Sequence, residues 1–126
     1  MSLDTNTVGK CGEHFIISDL LRQGVESFVP TNDNNNTDLV AFTNGSWKRV
    51  QIKTIGKLKT KTSVEIKMHK HKENSIVDYV AVYLWEEKIC AYVPYSGENS
   101  IVLALKRAKN CQNKKRKWFY EFMEFI

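Results

Sequence analysis

The stretch DLVAFTNGSWKRVQIKTI, residues 38–55, decides how the chain is read. Two runs rich in β-branched and aromatic residues, Asp38–Thr43 and Trp47–Ile55, flank Asn44-Gly45. Asn-Gly between strand-like runs is the strongest short-range hairpin signal, because a type I′ turn requires positive φ at both central positions. With a two-residue turn, Thr43 faces Ser46, and counting outward sets Asp38 opposite Gln51. Directly opposed residues have Cβ atoms about 4.5–5.5 Å apart on one face of the sheet. Lys53 points to that same face, since side chains alternate along a strand. The spacing therefore predicts a carboxylate, an amide oxygen and an ammonium gathered on one patch. A three-residue turn without a bulge would destroy the alignment.

Outward from this hairpin, residues from about Thr7 to Gln23 carry an apolar stripe at helical spacing (Val8, Cys11, Phe15, Ile16, Ile17, Leu20 and Leu21). Gly24 is placed to end that helix as its C′ residue. Val25–Pro30 is a short strand candidate, and the polar run from Thr31 to Thr37 is loop by composition. Beyond the hairpin, Gly56–Thr62 reads as a basic loop and Ser63–Met68 as a strand. Asp78–Leu84 and Lys88–Tyr95 read as a second hairpin across Trp85-Glu86-Glu87. Ile101–Lys106 fits a strand or a helix, and the aromatic C-terminus fits a short helix or turn that packs on the body or at a dimer interface. One leading helix followed by hairpins predicts an α/β fold with a mixed or antiparallel sheet, and 126 residues are the length of a single domain, 1–126.

No apolar run approaches the roughly 18–20 residues needed to span a bilayer. The N-terminus lacks the basic and apolar regions of a signal peptide. Cys11, Cys90 and Cys111 are scattered and odd in number, which argues against a disulfide framework or a zinc knuckle and for a reducing, cytoplasmic setting. The net charge is +5, and sixteen of the nineteen basic residues fall in two stretches, Lys48–Lys72 and Leu105–Trp118. The first contains one acid, Glu65, and the second none. Two such runs make a polyanion partner a better account than a merely solubilising surface. Lys57, Lys59, Lys61, Lys70, Lys72, Lys114, Lys115, Arg116 and Lys117 are the candidate phosphate contacts.

Hydrolysis of a phosphodiester needs what the hairpin cluster supplies. A hard divalent cation takes oxygen ligands and stabilises charge that develops on phosphorus. Asp38 offers an anionic ligand, Gln51 a side-chain carbonyl and Ile52 a backbone carbonyl. Lys53 is suited to orienting water and neutralising the transition state. Glu13, early on the helix in Gly9-Lys10-Cys11-Gly12-Glu13-His14, is a further ligand, with small neighbours that permit close approach to the sheet or to a DNA backbone. Taken singly these residues have ordinary readings: Asp38 a turn cap, Gln51 and Glu13 surface residues, Lys53 a snorkelling lysine.

In order, G-x-x-G-E, a loop ending in an Asp that opens a strand, and Q-x-K resemble the PD-(D/E)XK nuclease superfamily. The resemblance is strongest to intron-associated homing endonucleases of that type, which also carry Gln in the middle position. Archaeal Holliday junction resolvases share the layout with an acid there. The likeness extends through Asp78–Tyr83 and Tyr92-Val93-Pro94 to Asn110-x-Gln112 and Trp118. It implies a restriction-endonuclease-like core and a Mg²⁺-dependent endonuclease of double-stranded DNA, with Mn²⁺ able to substitute. Glu13, Asp38, Gln51 and Lys53 would be its active-site residues, and the protein would work as a homodimer or homotetramer, away from membranes. Homing-type cleavage of a defined site is the preferred subclass, with junction resolution second. Thr37 stands where the motif has Pro. Gln51 stands where it has an acid, and this loss of one metal-binding charge keeps open a non-catalytic DNA-binding module on the same fold.

Three other features have quieter readings. His69 and His71 alternate on one strand face, but the interleaved lysines favour a basic loop facing DNA over a metal site. His14 reads as structural, and so does Asp78 at the head of its strand.

Overall fold

The computed structural model describes residues 3–31, 37–68, 77–106 and 117–125. Helix α1 spans Thr5–Arg22, two residues earlier than its apolar stripe suggests, because Asp4 caps it: the Asp4 carboxylate accepts the Thr7 N–H at 2.7 Å. At the other end the Val25 N–H donates to the Leu20 carbonyl and the Gly24 N–H to Leu21, with Gly24 at φ 78°. This is the Schellman arrangement, and a residue with a Cβ would be strained at that C′ position.

Seven strands follow: β1 Glu26–Phe28, β2 Leu39–Thr43, β3 Ser46–Ile55, β4 Ser63–Lys67, β5 Tyr79–Leu84, β6 Ile89–Pro94 and β7 Ser100–Ala104. A short 3₁₀ turn, Phe119–Phe122, closes the C-terminus. Five strands form one sheet in the order β1-β2-β3-β5-β6, and β4 pairs with β7 in a separate two-stranded ribbon. The β2–β3 hairpin has the expected register, Thr43 opposite Ser46 through Leu39 opposite Val50, with Asn44 and Gly45 both at positive φ. β5 and β6 form the second expected hairpin. β3 and β5 run parallel, so the sheet is mixed, and β4 lies on the crossover between them.

Strand alternation sorts the core into two layers. Val50, Ala81 and Tyr83 face α1, where they pack with Ile16, Leu20, Leu39 and Phe125. Val80, Val82 and Leu84 face the other way, against Val64, Ile66, Ile101 and Leu103 of the ribbon and Phe119. β5 is buried on both faces, which is why it reads as an unbroken apolar run. The C-terminal aromatic cluster is divided accordingly. Phe119 and Phe125 are core, whereas Tyr120 is exposed.

Two close contacts set how α1 sits. A Cβ on Gly12 would collide with the Thr54 side chain on β3, so glycine permits the approach of helix to sheet. Near the helix end, Asp19 Oδ2 accepts from the Tyr92 hydroxyl (2.6 Å), Gln23 Nε2 (2.8 Å) and the Cys90 thiol (3.3 Å). Burial pushes the Cys90 thiol up to about 12 and the Tyr92 phenol well above its ordinary range, so both remain donors. Gln23 then holds the C-terminus through the Phe125 N–H at 2.7 Å and the Met123 carbonyl at 3.2 Å. Among the described residues no helix is long and apolar enough to cross a membrane.

Gly12→Ala should destabilise the protein by about 1–3 kcal/mol in urea unfolding, the range for forcing extra volume into a packed contact. Thr54→Ala should recover part of that loss in the double variant, through a non-zero coupling energy. Additive losses would mean that the helix does not meet the sheet at this point.

Candidate active site

β3 has ten residues and β2 five, so past Val50 the second half of β3 has no hairpin partner on that side. Asp38 stands where the ladder stops. Its N–H donates to the Val50 carbonyl at 2.9 Å, and its carboxylate Oδ2 accepts the Ile52 N–H at 2.7 Å. The side chain thus replaces the next rung of the sheet. Asp38 and Gln51 are the next positions in the hairpin register, and the Asp38 carboxylate reaches one residue past Gln51 to Ile52. Since N–H and C=O of one strand residue point to the same neighbour, the Ile52 carbonyl also faces this open edge.

The open edge borders a pocket of about 460 Å³ whose lining includes Glu13 from α1, Asp38, Ile52, Lys53 and Thr54, with Gly9 and Gly56 at its sides. Three of the four residues singled out in the sequence therefore meet, from helix, strand head and strand. Gln51 lies beside them on β3, is buried (8% exposed), and is not part of the lining. Burial pushes the Asp38 carboxyl above the usual carboxylate range. The Ile52 N–H pulls it back, Glu13 raises it further, and the charges of Lys53 and Lys10 lower it. Lys10 also pairs with Glu13 at 3.2 Å, one turn along the exposed helix face. Sequence reasoning passed over Lys10 and Thr54. The i, i+3 spacing of Lys10 and Glu13 was the available signal for the first.

The donor set fits a hard divalent cation: two carboxylates and a strand carbonyl, all oxygen. Among the described residues no three His, Cys, Asp or Glu side chains gather as a metal cluster, and Glu13 and Asp38 are the two acids that line this pocket. Lys57, Lys59 and Lys61 are exposed on the segment after β3, and Lys117 is exposed ahead of the C-terminal turn. Lys70, Lys72, Lys114, Lys115, Arg116, His69 and His71 lie outside the described residues. His14 is exposed. Asp78, immediately before β5, accepts the Arg49 N–H at 2.8 Å and donates its own N–H to the Arg49 carbonyl at 2.9 Å.

A family model for PD-(D/E)XK endonucleases matches residues 3–125, nearly the whole chain. The chain belongs to the PD-(D/E)XK endonuclease family. No curated protein matches it in sequence. Among solved structures, the bacterial homing endonuclease I-Ssp6803I superposes with a TM-score of 0.69 at 17% identity, covering 96% of this chain and 87% of that one. Hjc, a Holliday junction resolvase of Archaeoglobus fulgidus, gives 0.50 at 13% identity over 82% and 94%. At these identities the likeness establishes the restriction-endonuclease-like fold: one N-terminal helix on a mixed five-stranded sheet.

The raised Asp38 pKa has a stability consequence. A carboxyl raised in the folded state contributes stability below its unfolded pKa and loses it as pH rises through the folded value. Asp38→Asn, whose amide oxygen can still accept the Ile52 N–H, should therefore gain stability relative to wild type across that window. It should melt higher than metal-free wild type at neutral pH, and the gap should close in acid. Thermal melts of both proteins across pH decide it. A gap that widens in acid would contradict the assignment.

Proposed function

We propose that this protein is a Mg²⁺-dependent endonuclease that hydrolyses phosphodiester bonds of double-stranded DNA, of the homing type that cuts at a defined site. The observation that carries this reading is the meeting of Glu13, Asp38 and Lys53, from three separate elements, on one pocket at the open edge of β3. Glu13, Asp38 and the Ile52 carbonyl would hold the cation, with Gln51 as the neutral residue of the motif and Mn²⁺ able to replace Mg²⁺. Held there, the cation would supply Lewis-acid stabilisation of charge on the scissile phosphate.

The chain's own groups do the rest. Lys53 orients the attacking water and places positive charge beside the developing oxyanion, in a half-buried setting where that charge is less screened. Lys10 holds the Glu13 carboxylate at the mouth of the pocket. Lys57, Lys59 and Lys61 flank the centre on the next segment and grip phosphates, with Lys117 a further exposed cation.

One centre per chain calls for two or more copies to cut both strands, and we infer a homodimer or homotetramer. The face of β1–β3 turned away from α1 supports self-association, for Phe28, Phe42 and Trp47 pack on one another there and remain exposed. Sedimentation should show a lower oligomer for Phe42→Ser/Trp47→Ser than for wild type, and equal masses would remove this surface from the account.

The decisive assay is nicking of supercoiled plasmid and of a randomised duplex library with Mg²⁺, Mn²⁺ or EDTA. Lys53→Ala should slow cleavage by roughly 10²–10³-fold while DNA binding survives. Salt-sensitive binding without metal-dependent cleavage on any duplex would point to a non-catalytic DNA-binding module. Preferential cutting of four-way junctions over linear duplex would point to a resolvase.

A further inference from the structure

The β4–β7 ribbon has two unlike faces. Val64 and Ile66 of β4, with Ile101 and Leu103 of β7, are buried against the main sheet. Between them, Glu65, Lys67, Ser100 and Val102 point outward and are exposed. Glu65 lies directly across from Val102 and Lys67 from Ser100, so the four side chains form one compact outward cluster. Val102 is 50% exposed in mid-strand, an apolar side chain without packing of its own on that face.

This face forms one wall of a groove of about 650 Å³. The segment from Thr54 to Thr60 forms the other wall and carries Lys57 and Lys59. Thr54 and Gly56 line both this groove and the nuclease pocket, so the two are continuous. The charge pattern is selective. Glu65 is the sole acid between Lys48 and Lys72 and stands in the lysine-lined groove. A face meant only for phosphates gains nothing from a carboxylate there. Base edges, however, present amino donors as well as acceptors.

We propose that the outward face of this ribbon reads base edges in the major groove of duplex DNA and sets the sequence preference of the enzyme. The inference rests on the nuclease reading in taking DNA as the substrate. A two-stranded ribbon fits the width of the major groove. Lys67 is a donor for guanine O6 and N7, Glu65 an acceptor for the cytosine amino group, and Val102 an apolar contact for the thymine methyl. Ser100 is able to donate or accept. Lys57 and Lys59, across the groove, hold the flanking phosphates and fix the register.

The test is selection of bound sequences from a randomised duplex pool by the full-length protein in EDTA, so that the readout is independent of cleavage. Wild type should enrich a motif. Lys67→Ala should reduce discrimination at one guanine position by roughly 5- to 150-fold, the factor equivalent to one lost base contact. Glu65→Gln, nearly isosteric and safe for the fold, should shift preference at a neighbouring position from cytosine to adenine, the base that a Gln amide pairs with. Lys57→Ala should weaken all sequences alike and lower the salt slope by about 1. An unchanged motif in both ribbon variants, or a wild type without base preference, would overturn the proposal. A motif that depends on the ribbon, in a protein that never cleaves with Mg²⁺, would sink the nuclease reading and leave this one standing.

Discussion

Past Val50, β3 continues for five residues without its hairpin partner, and the site is organised around that unpaired edge. A strand edge inside a packed fold leaves peptide groups that must find partners, because a buried N–H without one costs free energy comparable to a lost hydrogen bond. Asp38 provides the partner for Ile52 at 2.7 Å. The same bond fixes the carboxylate at the pocket and turns the Ile52 carbonyl toward it. Local satisfaction of the backbone and placement of the Asp38 carboxylate are one interaction. The type I′ turn at Asn44-Gly45 makes it possible, since a slip of one residue would send Asp38 and Lys53 to the opposite face.

The helix delivers the second acid, and its position is set by packing rather than by the site. Gly12 lets α1 settle against Thr54, and the Asp19 network ties its far end to β6 and the C-terminus. Glu13, next to that contact glycine, is then carried to the pocket. Burial of the Asp38 carboxylate, with Glu13 adding to it, works against stability of the charged form, as the raised Asp38 pKa records. The Ile52 N–H, then Lys53 and Lys10, offset only part of that rise. Two carboxylates placed so close together are a pairing that a divalent cation would relieve. Ionising Asp38 therefore works against folding stability.

Much of this was legible in the sequence, for identifiable reasons. Asn44-Gly45 specified turn type, and turn type specified register. Gly24 and the stripe from Val8 to Leu21 specified the helix. The mixed order of the sheet was one of two alternatives, because nothing in the run Asp78–Leu84 says whether its neighbour is parallel. The pairing of β4 with β7 was not legible at all, since the partners are more than thirty residues apart and either could have joined the main sheet. At the site, counting along an ideal hairpin set Asp38 opposite Gln51. What counting could not give is the bond of the Asp38 carboxylate to the Ile52 N–H, because it depends on the ladder ending there, and strand termination is not written in periodicity. The metal-site reading drew on the family resemblance as much as on geometry, for D-x(n)-Q-x-K alone is a common pattern.

The central claim is that Glu13, Asp38 and the Ile52 carbonyl converge to hold a divalent cation beside Lys53. The most direct measurement is anomalous diffraction from crystals of the protein soaked with Mn²⁺. The account predicts an anomalous peak in the pocket, within ligand distance of the Asp38 carboxylate and the Ile52 carbonyl, and its disappearance in Asp38→Asn. Mn²⁺ bound elsewhere with this pocket empty, or a peak indifferent to Asp38→Asn, would contradict it.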